Sequence, residues 1–270
     1  MKQFFVLWLL TLSVVSFGMG KSGDKREIPD DFIRIPVTYP GEEVTLDISL
    51  INGGIEVIGS DVNELSVNVP MDSFQKSQEK QRGRLKKIGG SSGGYSIDEN
   101  NNYVAISVQP WVEVSKITVY APHNTKLKLK CINNGNITVR NITSEIEADN
   151  INGSILLENV ENSITAHALN QFLIVKSKNI KENMQMDLST LNGDIELYLE
   201  NDINANIEIK TQNGDVDSAF DIQMMEKTQK KNKGLKYRLS SRGKLKGIIN
   251  DGGAILRLKS LNGSINLNKY

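Results

Sequence analysis

Apolar residues fall at every second position in short runs along most of this chain, and an Asn-Gly step breaks off each run. Between Ile132 and Ser218 the steps are Asn134-Gly135, Asn152-Gly153, Asn192-Gly193 and Asn213-Gly214. They lead into Ile137-Thr138-Val139, Ile155-Leu156-Leu157, Ile195-Glu196-Leu197 and Val216-Asp217-Ser218. Asn170-Gln171 introduces Phe172-Leu173-Ile174-Val175 in the same way, with the glycine lost. A second set lies midway: Ile146-Glu147-Ala148, Ile164-Thr165-Ala166, Met184-Gln185-Met186 and Ile207-Glu208-Ile209. Period-two alternation predicts strands with one buried face.

The glycine slot falls at 135, 153, 171, 193 and 214. A step of about 20 residues holding two strands marks a stacked repeat. Antiparallel hairpins in a meandering sandwich fit this, with Asn-Gly at the turns. Coils of a β-solenoid fit too, each strand lying on its equivalent about 4.8 Å below. Near-constant spacing and a repeated polarity pattern favour coils. The expected fold is all-β, a solenoid over 33–270 with its core repeat at 127–218. In it Gly135, Gly153, Gly193, Gly214 and Gly263 supply positive φ at the corners. Asn134, Asn152, Asn170, Asn192, Asn213 and Asn262 stack beside them as an amide ladder.

Residues 33–69 read as a looser version of the same unit, and Gln75–Lys87 with Gly89–Gly94 as a polar excursion. Past Phe220 the alternation stops. Residues 221–246 form a basic insertion, with nine Lys or Arg and no Asp or Glu from Lys227 to Lys246. The unit Leu261-Asn262-Gly263-Ser264-Ile265 closes the chain and is expected to cap the stack.

At the other end, Lys2 precedes an apolar run from Phe4 to Phe17 and the small residues Gly18 and Gly20. This predicts a signal peptide over 1–20, cleaved after Gly20, and a flexible leader over 21–32. No later segment is apolar enough to span a bilayer. The chain is therefore expected to be exported, to the periplasm or the cell surface.

Composition narrows the choice of partner. Lys plus Arg and Asp plus Glu number 32 each, so no overall field recruits nucleic acid. The single Cys131 lies on the apolar side of Leu127-Lys128-Leu129-Lys130-Cys131 and reads as a buried, inert thiol.

The ordered set Pro122, Leu127, Leu129, Asn134-Gly135, Ile137, Val139, Asn192–Ile195 and Asn213–Val216, closing with Gly252-Gly253, Gly263 and Ile265, resembles a known family. These are bacterial secreted "putative adhesin" domains of Bacteroidetes-type envelopes, of unknown function. The resemblance covers residues 37–270 and implies a right-handed β-solenoid that makes contacts at the cell envelope. It brings no catalytic residues and no cofactor. Gln171 and the long basic insertion depart from the pattern.

Chemistry is sparse. His123 and His167 are isolated, and neither a nucleophile elbow nor a metal-ligand spacing is present. Glu145, Glu147, Glu158, Glu196 and Glu208 read as a mostly acidic outward stripe. Asp194 and Asp215 occupy equivalent corners, where stacking would let them share a cation. Asp217-Ser218-Ala219 resembles a short acceptor for O-linked sugars. The strongest binding candidates are Lys230, Lys231, Lys233, Lys236, Tyr237, Arg238, Arg242, Lys244 and Lys246, for an anionic glycan or envelope polymer. The leading reading is a non-enzymatic contact protein binding such a polymer or a protein partner. A periplasmic sensing module for a signalling partner comes second, and a glycan-active enzyme third.

Overall fold

The computed structural model describes residues 29, 31–70, 94–112, 114–225, 236–237 and 244–270. Among these there is no helix, and the strands form two open eleven-stranded sheets of mixed direction.

The middle of the chain alternates between the sheets. β8 (Lys126–Asn133), β10 (Ile146–Asn150), β12 (Ile164–Ala168) and β14 (Gln185–Thr190) lie in one sheet; β9 (Ile137–Arg140), β11 (Ile155–Val160), β13 (Leu173–Ser177) and β15 (Ile195–Leu199) lie in the other. Each strand pairs in parallel with the one two places on, Ile137 against Ile155 and Leu127 against Ile146. Inward residues such as Ile146, Ala148, Ile155 and Leu157 are fully or almost fully buried, and both sheets contribute to one core cluster. One strand from each sheet makes a layer, and every parallel pair satisfies the backbone groups its neighbour leaves open.

The order of layers in space departs from the order in sequence at both ends. β2 (Thr45–Asn52) and β3 (Gly54–Ser60) lie between β8/β9 and the layer of β6 (Tyr103–Val108) and β7 (Lys116–Pro122). Residues 45–60 are thus a full layer in register, Leu46 against Leu127 and Ile55 against Ile137, and not a looser unit. At the far end β21 (Ala254–Ser260) and β22 (Ile265–Lys269) slide between β14/β15 and the layer of β16 (Ala205–Thr211) and β17 (Val216–Ser218). The final unit therefore caps nothing. It is interior.

Antiparallel strands cover the outer layers. β5 (Tyr95–Asn100) lies on β6, and β4 (Leu65–Asn68) followed by β1 (Ile33–Ile35) lies on β7. β20 (Lys244–Ile249) then β18 (Gln223–Met224) lie on β16, and β19 (Lys236–Tyr237) lies on β17. Reversing direction at the last layer ends the parallel template, which guards against edge-to-edge growth. The expected signal peptide, most of the leader and the polar excursion over 75–87 lie outside the described residues.

Candidate contact surfaces

One corner of the layers carries a continuous amide ladder. Asn152 donates to Asn133 Oδ1 at 2.8 Å, Asn170 to Asn152 at 2.9 Å and Asn192 to Asn170 at 2.8 Å. Asn262 then donates to Asn192 at 2.7 Å, and Asn213 to Asn262 at 2.8 Å. The sequence named every member but the first. Six residues separate Cys131 from Ile137, against five from Asn150 to Ile155. Asn134 absorbs the extra residue at φ 58°, which moves Asn133 into the column.

The corner glycines serve a purpose other than the expected one. Gly135, Gly153, Gly193, Gly214 and Gly263 are not among the residues with positive φ; Asn141 and Asn159, at the opposite corner, are, at 58° and 53°. Close approach explains the corner glycines. A Cβ on Gly153 would lie 1.8 Å from the Gly135 carbonyl oxygen, on Gly263 2.0 Å from that of Gly193, and on Gly214 2.1 Å from that of Gly263. Three residues before Gly153, Gly193, Gly214 and Gly263, though not before Gly135, stands a buried polar side chain, and it ties the corner together. Asn150 accepts from the Gly153 N–H at 2.9 Å, Ser260 accepts from Gly263 at 2.8 Å, and Thr190 donates to the Gly193 carbonyl at 2.6 Å. In the layer that has Gln171 this position is Ala168, so both features are missing together, and Gln171 is exposed.

Beside the ladder runs a feature the sequence reading passed over. The residue before each ladder asparagine is Ile132, Ile151, Leu169, Leu191 or Leu261, with Ile51 preceding Asn52 one layer earlier; only Gln212, in the last layer, is polar. Leu169 is 43 % and Ile51 39 % exposed; the other four are half-buried. Trp111, 75 % exposed, follows Pro110, whose carbonyl accepts from Asn52 at 3.4 Å. The signal was present as a repeated Ile/Leu-Asn pair, but one apolar residue per turn at the end of an alternating run reads as more core.

The outward faces mix charges of both signs. Glu158 belongs to a chain running Lys116–Glu56–Arg140–Glu158–Lys176 across the β9/β11/β13 sheet. Arg140 reaches Glu56 at 2.5 Å and Glu158 at 3.1 Å, and Lys176 reaches Glu158 at 2.7 Å. Burial works against ionising Glu56, but hydrogen bonds from Lys116 and Arg140 outweigh it and hold the carboxyl below the usual range. The Lys176 hydrogen bond, opposed by burial and aided by Arg140, does the same for Glu158. Glu145, Glu147 and Glu208 belong to the opposite sheet, where Glu145 pairs with Lys126, Glu147 faces Lys128 in register, and Glu208 pairs with Lys244. Among the described residues these glutamates form no single acidic stripe. The expected one was assembled from two faces; basic neighbours meet Glu145, Glu147, Glu158 and Glu208, while Glu196, on β15 of the Glu158 sheet, accepts from the Tyr198 hydroxyl at 2.9 Å.

Other expected sites come apart in the same way. Asp194 and Asp215 are separated by Ser264, the residue before β22, which donates its N–H to Asp194 at 2.7 Å and accepts from the Asp215 N–H at 3.2 Å. Ser218 is buried and its hydroxyl bonds to Phe220, so it is not offered as a sugar acceptor. His167 meets Ser189 at 2.6 Å, and His123 meets the Asn141 carbonyl at 2.7 Å. Burial pushes the Cys131 thiol up to about 12. Of the basic insertion, Lys244 and Lys246 stand on β20, with Lys244 bound to Glu208, while Lys236 and Tyr237 form β19. Lys230, Lys231, Lys233, Arg238 and Arg242 lie outside the described residues.

No family model matches the chain, and neither does any curated protein. Among solved structures it is similar to a "putative cell adhesion protein" from Clostridium sporogenes, at 10% identity and a TM-score of 0.43 over 88% of this chain and 98% of that one. It is also similar to a "putative adhesin" from Bacteroides fragilis, at 11% and 0.36 over 90% and 98%. A "putative lipid binding protein" from Parabacteroides distasonis stands at 10% and 0.30 over 87% and 94%. Likeness at this level carries neither fold nor function for the chain, which rest on its own pairing and surfaces.

Proposed function

We propose that the chain is an exported, non-enzymatic contact protein built as a β-solenoid, holding an envelope polymer or a protein partner against its outer surface. The observation that supports this best is the run of eight layers in parallel register, from β6/β7 to β16/β17. Such a frame fixes outward side chains at a spacing of about 4.8 Å. It favours an extended partner over a small molecule enclosed in a pocket. Charge pairing on both faces leaves the lysines and arginines of the basic insertion, Lys244 with its Glu208 partner aside, as the means of holding an anionic polymer. The mature protein is expected to begin at Lys21 when isolated from its own cells. It is expected to retain envelope polysaccharide at low salt and release it as salt rises. Changing Lys230, Lys231, Lys233, Arg238 and Arg242 to Gln should abolish that retention. Retention unaltered by salt and by these changes would remove the insertion from the account.

A further inference from the structure

The aliphatic ridge Ile51–Ile132–Ile151–Leu169–Leu191–Leu261 has no part in the chemistry so far described. Its backbone is tied layer to layer, with Asn152 N–H bonded to the Ile132 carbonyl, Asn170 to Ile151 and Asn262 to Leu191. Leu169 and Ile51 are exposed, the other four members are half-buried, and none is in the sealed core. Over five steps it runs about 24 Å. Exposed aliphatic side chains aligned in a row, with an exposed indole at one end, are unusual on a surface that elsewhere pairs its charges.

We infer that this ridge and its amide ladder form a binding track for a neutral, extended β-linked glycan lying along the stack. The proposal deepens the contact reading and rests on it, but it uses a different surface from the basic insertion.

Charge selects the class of ligand. Ridge and ladder contain no ionisable side chain over six layers, whereas charges resume two residues earlier at Lys130, Asp149 and Lys259. Each inner ladder amide, from Asn152 to Asn262, spends one N–H and the oxygen on its neighbours, which leaves a second N–H and an oxygen lone pair on the group. One layer thus offers an aliphatic surface next to a neutral donor and acceptor. A pyranose in an extended β-linked chain presents the matching pair, a C–H face and a rim of hydroxyls, and advances by nearly one layer per sugar. Trp111 extends the track with a large apolar face and an N–H handle.

Other occupants fit less well. A bilayer would dehydrate the ladder amides without replacing their hydrogen bonds. A second copy of the chain would cover a strip about 24 Å by 10 Å, well short of the roughly 800 Å² per partner that stable dimers bury.

The test is co-sedimentation of the full chain with cellulose, chitin and an insoluble β-1,3-glucan, at low and high salt. Two variants are compared: Ile151→Thr/Leu169→Thr/Leu191→Thr, which puts a strand-compatible β-branched residue at each position, and Trp111→Ala on an exposed loop. Circular dichroism and the thermal midpoint establish that each remains folded. Binding to at least one of the glucans or chitin is expected to survive high salt. It should fall at least tenfold in the triple variant and severalfold in Trp111→Ala, and stay unchanged when the insertion's basic residues become Gln. Failure of all three probes to bind overturns the proposal, as does binding that both ridge variants leave intact. Self-association that the triple variant abolishes overturns it in favour of a dimer. Salt-sensitive retention of anionic envelope polymer alone, unaffected by the ridge variants, overturns the ridge and leaves the contact reading standing.

Discussion

Asn262 donates its side-chain amide to Asn192 at 2.7 Å although seventy residues separate them in sequence. On its other side Asn262 accepts from Asn213, forty-nine residues earlier. The last segment of the chain is therefore an inner course of the stack, added after the layer that ends up outside it. β16/β17 has its parallel partner only once β21/β22 is in place.

That arrangement makes the C-terminus indispensable. Deleting residues 254–270 removes Leu256, Leu258, Ile265 and Leu267 from the core, each at most 1 % exposed. At about 2 kcal/mol for each such side chain, the loss is about 8 kcal/mol. Whole domains are stable by about 5–15 kcal/mol. The fragment 1–253 is expected to lose cooperative unfolding and to aggregate, as followed by circular dichroism and gel filtration. A fragment that unfolds as cooperatively as the full chain, with a similar midpoint, would mean the interior placement is wrong.

The glycine column predicts a sharp contrast between neighbouring corners. Gly153→Ala places a methyl 1.8 Å from a carbonyl oxygen that belongs to the layer below, and backbone cannot swing aside as a side chain can. Overpacking of this kind costs about 3 kcal/mol. Gln171→Ala, at an exposed corner that already tolerates a Cβ, is expected to change stability by less than about 0.5 kcal/mol. Urea unfolding of the two variants decides the matter; equal midpoints would refute the close-approach account.

The charged chain on the β9/β11/β13 sheet fixes the sign of an acid effect. Glu56 and Glu158 ionise more readily folded than unfolded. In the acid range the unfolded chain then binds more protons. Their contribution is complete above the ordinary carboxylate value, about 4.3, and is lost as pH falls through the lower folded values. Arg140→Gln removes the cation shared by both carboxylates. It should lower the thermal midpoint at neutral pH and flatten its fall between neutral and acid conditions. Parallel curves for the variant and the parent would show that Arg140 does not set these ionisations.

Much of this was legible in the chain. Strands, buried faces and the corner ladder follow from alternation and from recurring Asn-Gly. The order of layers does not, because β21 presents the same alternation to Met186 on one side and to Ile207 on the other. Self-similar strands leave local sequence indifferent to which neighbour they meet. The Asp194–Asp215 pair failed for that reason: equivalence along the sequence is not adjacency in the stack. The acidic stripe failed because strands of one layer face opposite ways. The role of glycine was misassigned because φ and close approach call for the same residue.

Cys131 offers a final check on the packing at this corner. It is fully buried, stands in register between Leu50 and Asn150, and burial alone lifts its thiol to about 12. The thiolate is the species that reacts with disulfide reagents. At pH 8 an ordinary thiol, near 8.5, is substantially ionised, whereas one near 12 is almost wholly protonated as well as shielded. An aromatic disulfide reagent should therefore release no colour from the native protein over hours and one equivalent within minutes in denaturant. Its native rate should follow the rate of opening rather than the reagent concentration. Prompt labelling of the folded chain would mean that the layers of β2, β8 and β10 part at this corner, and with them the ladder that begins at Asn133.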